Sequence, residues 1–114
     1  MALLKGTLEV LVLKALSWGP LHGFEIARWI EDRSDGQFGI EDAALLQALH
    51  RLEERGLLEA EWGVTGNNRR ARYYRLTGSG RAHLKQESVA VRESAMALAN
   101  ILTLRNPAPR GERG

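Results

Sequence analysis

The run LLEAEWGVTGNNRRARYYRLT, residues 57–77, decides how the rest of the chain folds. Its middle, Thr65-Gly66-Asn67-Asn68, is a turn signal, because Gly and Asn tolerate positive φ. Before the turn, Leu57 to Val64 reads as a strand. After it, Ala71 to Leu76 is a returning strand rich in Tyr. Two such runs about one turn predict a β-hairpin. The hairpin is also unevenly charged: Arg69, Arg70, Arg72 and Arg75 fall between Thr65 and Thr77, with no acidic residue among them.

Working outward, the same imbalance continues. From Thr65 to Gln86 the basic residues are Arg69, Arg70, Arg72, Arg75, Arg81 and Lys85, and Asp and Glu are absent. The chain as a whole is only +2, so the remainder is net acidic and the sequence pI of about 9.4 overstates the basicity. A basic patch on a nearly neutral protein points to a localised anionic partner.

Upstream of the hairpin the spacing predicts three compact helices. The first runs from a cap at Thr7 to about Ser17, apolar nearly all round and therefore buried on most sides; Gly19 and Pro20 stop it. The second covers His22 to about Arg33, with Phe24, Ile26, Ala27, Trp29 and Ile30 as its apolar stripe. The third starts near Asp42, a good N-cap, carries Leu45, Leu46, Leu49 and Leu52 at helical spacing, and ends at Gly56.

Downstream, Thr77-Gly-Ser-Gly leads into a long helix from about Arg81 to Leu104. Leu84, Ser88, Val91, Ala95, Leu98 and Leu102 are spaced 4, 3, 4, 3, 4, a seam of nearly three heptads. Residues 105–114 read as a disordered tail. Three helices followed by a two-stranded ribbon is the order of a winged helix-turn-helix. The expected fold is thus mainly α with a small β-hairpin. It divides into a winged helix-turn-helix at 1–78, a C-terminal dimerisation helix at 79–104 and the tail.

Composition narrows the function. At 114 residues the chain makes one modest core, and many such domains gain stability by oligomerising. It has no cysteine, which excludes a disulfide scaffold or a cysteine-based zinc site and fits a cytoplasmic protein. Lys5, Glu9 and Lys14 interrupt the apolar N-terminus, so it is neither a signal peptide nor a membrane span. His22, His50 and His83 are scattered, no HExxH or Gly-rich phosphate loop is present, and no nucleophile has an adjacent base. The reading is of a protein that is not an enzyme and needs no cofactor or metal.

Three stretches, GTLEVLVLKALSWGPLHGFEIARWI, ALHRLEERGLLEAEW and RRARYYRLTGSGRAHL, resemble the PadR-like family of bacterial transcriptional regulators. They cover roughly residues 6–85 in the family's order. The resemblance implies a winged helix with a C-terminal dimerisation helix. It also implies DNA binding, usually as a repressor and relieved in some members by a small aromatic or cationic ligand. One run departs from the family pattern. Relatives often carry a Gly-Ser/Thr-Leu-Tyr-Pro-like run at the start of the recognition helix, and here it is Ala43-Ala44-Leu45-Leu46-Gln47. Ala43 and Ala44 occupy the usual contact positions but cannot hydrogen-bond bases, and Glu41 and Asp42 beside them repel phosphate.

The expected partner is double-stranded DNA. Gln47, His50 and Arg51 are the polar candidates on the third helix, since Gln can pair with adenine and Arg with guanine. Arg69, Arg70 and Arg72 are expected on phosphates or in a minor groove. Asn67 and Asn68 form the turn and could add backbone contacts. Tyr73 and Tyr74 alternate across the strand, so one faces inward, and Tyr74 is placed among the DNA contacts. A helix of about 36 Å is longer than a small winged domain needs. Leu8, Leu11, Leu84, Val91, Ala95, Leu98 and Leu102 are therefore expected in a homodimer interface, matched to a pseudo-palindromic operator. Core packing is the simpler reading of Trp18, Trp29 and Trp62. Trp18 is the best candidate to line a pocket for an aromatic effector. The rival reading is a winged-helix protein-interaction module without specific DNA binding.

Overall fold

The computed structural model describes residues 6–106. In chain order the elements are α1 (Thr7–Ala15), β1 (Leu21–His22), α2 (Gly23–Arg33), α3 (Asp42–Glu54), β2 (Leu58–Val64), β3 (Arg70–Leu76) and α4 (Gly78–Leu102). A single turn of 3-10 helix, Leu16–Trp18, tightens the end of α1 before Gly19 (φ 146°) turns the chain. The residues expected as a tail lie outside the described residues, apart from Arg105 and Asn106, which have no regular structure.

The core follows from the apolar faces. Leu13 of α1, Leu16 just after it, Ile26 of α2, and Leu49 and Leu52 of α3 are almost fully enclosed. Leu58, Tyr74 and Leu76 close the cluster from the sheet. One three-helix layer thus sits on one face of a small sheet.

That sheet has a strand the sequence reading missed. The order is β1-β3-β2, all antiparallel, with Leu21 opposite Tyr74 and His22 opposite Tyr73. Two residues leave no periodic signal. β2 and β3 pair from Leu58–Leu76 to Val64–Arg70. At the turn, Thr65 N donates to Arg69 O at 2.8 Å and Asn68 N to Thr65 O at 2.9 Å. The left-handed residue there is Asn68 (φ 61°) and not Gly66, consistent with the readiness of Asn to adopt that region.

Helix starts also differ from expectation. Thr7 does not cap α1, which is preceded by Gly6 in the left-handed region with no side-chain cap. Asp42 is inside α3, whose cap position is Glu41, again with no side-chain bond. α2 has a reciprocal capping box instead: His22 Nδ1 accepts from Glu25 N at 3.3 Å and Glu25 Oε1 accepts from His22 N at 3.1 Å. α4 starts three residues earlier than expected because Thr77 caps it, Oγ1 accepting from Gly80 N at 3.0 Å. The same hydroxyl donates to Gly56 O at 2.7 Å, tying the end of α3 to the start of α4. Gly80 then passes so close to the residue before β2 that an added Cβ would collide with the Leu57 carbonyl oxygen.

Candidate nucleic-acid interface

Strand parity sorts the hairpin into two unlike faces. Leu58, Tyr74 and Leu76 point at the helices, so their alternates Ala60, Trp62 and Val64 on β2 and Arg70 and Arg72 on β3 share that side. Toward the tip this inner face overhangs the core. Trp62 and Val64 are exposed there, and the Arg70 guanidinium sits 4.8 Å from the centre of the Trp62 ring. The outer face carries Glu59, Glu61, Tyr73 and Arg75. Arg75 is shared by both carboxylates, at 2.8 Å from Glu59 and 3.4 Å from Glu61. Tyr73 stacks its ring over Gly63, where a Cβ would be 2.9 Å from the ring carbons.

The arginine run is therefore not four equivalent charges. Arg72 pairs with Glu53 of α3 at 2.8 Å and lies over the Tyr74 ring. Arg75 belongs to the outer face. Among the described residues, only Arg69 and Arg70 of the four have no acidic partner, and both are exposed at the tip.

On α3 the buried stripe is Leu45, Ala48, Leu49 and Leu52. Ala43, Leu46, Gln47 and His50 lie on the opposite, exposed side, and Ala44 is half-buried at its margin. Arg51 is on another side again, because Glu9 of α1 holds it in an ion pair and also contacts Arg55 at 3.4 Å. Between the N-terminal turns of α2 and α3 and the inner face of the hairpin runs a groove of about 620 Å³. Phe24, Leu46, Arg69 and Arg70 are among its lining residues. Arg28 stacks over Phe24 at 5.7 Å.

A profile of the transcriptional regulator PadR-like family matches residues 12–86. The chain belongs to that family. It is a transcriptional regulator and not an enzyme. Relatives agree with the architecture. An uncharacterized protein of Lysinibacillus sphaericus is 30% identical over 84 residues, 74% of this chain and 77% of its own length. The structure of a PadR family transcriptional regulator from Eggerthella lenta is 29% identical, with a TM-score of 0.71, covering 89% of this chain and 86% of that one. Bacillus subtilis PadR, solved in complex with operator DNA, shares the fold at a TM-score of 0.61 and 20% identity, over 90% of this chain and 50% of that one.

In this PadR-like regulator the expected contact residues separate into groups. Ala43, Gln47 and His50 share the open face of α3, and Asn67, Asn68, Arg69 and Arg70 share the hairpin tip. Tyr74 is corrected: it is 6% exposed and faces the helices, because its parity matches Leu76 and Leu58, so it is a core residue. Arg51 and Arg72, expected as DNA contacts, are each held in an ion pair, with Glu9 and Glu53 respectively. Phe24, which reads as part of the apolar stripe of α2, lines the groove with Arg28 over its ring, and the sequence singles out neither.

The dimerisation candidates split similarly. Leu8, Leu11 and Leu84 are half-buried against the chain's own core. Val91 is half-buried, while Ala95, Leu98 and Leu102 are exposed, as are Met96 and Ile101. Trp18 and Trp62 are not core, at 70% and 60% exposed, which corrects the packing reading for both. Trp18 lies 5.6 Å from Trp29, with Lys14 Nζ 4.9 Å from its ring centre and Arg33 5.5 Å from that of Trp29. The two rings border an open cleft of about 420 Å³ with Ala15, Pro20 and Leu21. No helix among the described residues is long and apolar enough to cross a membrane.

Proposed function

We propose that this chain is a sequence-specific DNA-binding regulator that represses transcription as a homodimer on a pseudo-palindromic operator. The supporting observation is the pair Arg69 and Arg70, exposed and without an acidic partner among the described residues, beside the open face of α3. A wing tip of this kind suits the phosphate backbone while α3 lies in the major groove. The operator complex of Bacillus subtilis PadR, a protein of the same fold, supports the reading by analogy. Residues 1–78 then form the reading head and residues 79–104 the dimerisation helix. The distal half of α4 leaves Leu98, Ile101 and Leu102 at 49%, 64% and 79% exposure, an apolar run that a second copy would cover. The Trp18–Trp29 cleft is the proposed place for a small aromatic effector that relieves repression.

Salt dependence tests the proposal. Two unopposed arginines per head, in a dimer, give about four phosphate contacts, so log K should fall with log salt at a slope near −3.6. Changing both Arg69 and Arg70 to Ala should weaken all duplexes alike and flatten the slope to near zero. Duplex binding that is absent at low salt overturns the proposal in favour of a protein-interaction module, and a slope unchanged in the double variant overturns the assignment of the wing arginines.

A further inference from the structure

The open face of α3 holds something the arginines do not explain. Leu46 is 54% exposed and Phe24 68% exposed, and both line the groove beside the hairpin tip. A single exposed leucine is ordinary. Here the two apolar groups lie together, on the side that the proposed reading turns to DNA. The neighbouring positions are Ala43, a bare methyl, and Gln47, a neutral amide.

The rims of the groove have a different character. Arg69 and Arg70 stand along one edge, and Arg28, held over the Phe24 ring at 5.7 Å, stands beside the other apolar wall. Cations flanking hydrocarbon match a duplex, whose phosphates flank its base edges. In the major groove one base edge carries a hydrocarbon group, the C5-methyl of thymine, and Gln is the side chain that pairs with adenine N6 and N7. The carboxylates Glu41 and Asp42 at the start of the same helix disfavour the acceptor-rich edge of guanine.

We infer that Leu46 is a specificity-determining residue, packing on a thymine methyl while Gln47 is available to adenine, so that each half-site has an A·T pair under the start of α3. The inference rests on the proposed DNA-binding reading and would fail alone if only the base preference were wrong.

The test begins with duplexes selected from a random pool by the full chain. Each thymine of the selected site is then replaced singly by uracil, which removes only the methyl. One position per half-site should lose affinity about fourfold, the value of burying one methyl group. The Leu46→Ala variant should bind with that uracil effect gone and with the same salt slope as the parent, because Leu46 touches no phosphate. Leu46 is exposed, so the substitution leaves the core intact. Uracil tolerated at every position, or the same loss in Leu46→Ala, with salt-dependent binding retained, overturns this inference and leaves the proposed function standing. Loss of all salt-dependent duplex binding by the parent chain overturns both.

Discussion

Tyr73 and Tyr74 are adjacent and chemically identical, yet one packs among the helices and the other covers a glycine. Nothing local separates them. Parity is set by Leu58 and Leu76, which must face the core, and by β1, whose two residues come from about fifty positions earlier. The same parity places Arg72 inward, where Glu53 meets it. Sequence patterning thus located the charged turn but not which of its charges stay unpaired. Gly80 is a second such residue. It reads as part of a flexible lead-in, but it lies in the first turn of α4 against the Leu57 carbonyl. Gly80→Ala should destabilise the protein by about 1–3 kcal/mol through overpacking against backbone. Gly78→Ala, with nothing within 4 Å of its added Cβ, should be neutral or slightly stabilising. Urea denaturation of the two variants checks the contrast.

Among the elements, α4 depends on one hydroxyl. Thr77 Oγ1 caps the helix at Gly80 N and also satisfies the carbonyl of Gly56, whose left-handed backbone (φ 74°) ends α3. Thr77→Ala removes both bonds and should cost about 1–2 kcal/mol, while Thr77→Ser should keep most of that stability. Chemical denaturation midpoints distinguish them. The helices themselves were legible because their apolar content is strong over several turns. Their starts were less so: Glu41 and Gly6 occupy cap positions without a capping side chain, and His22, an uncommon cap, fills the role on α2. β1 was invisible because it exists only through its pairing with β3.

For the whole molecule, the unsettled surface is the far half of α4. If a second copy covers it, as proposed, the thermal midpoint should rise with protein concentration. Replacing Leu98 and Leu102 together by Glu should leave a folded monomer whose midpoint no longer depends on concentration, read by sedimentation and thermal melts. The heptad seam showed this surface in the sequence. It did not show that Leu84 would be taken up by the chain's own core, since a seam does not say where one partner ends and another begins.

The two-faced hairpin has a consequence for crowding on the chromosome. Proteins that are cationic all round gather several nucleic-acid strands and bundle them. Here the back of the hairpin is edged by Glu59 and Glu61, with Arg75 already shared between them. Under the proposed role, a head seated on one duplex turns this carboxylate edge toward any other. It would therefore occupy its site without cross-linking neighbouring strands.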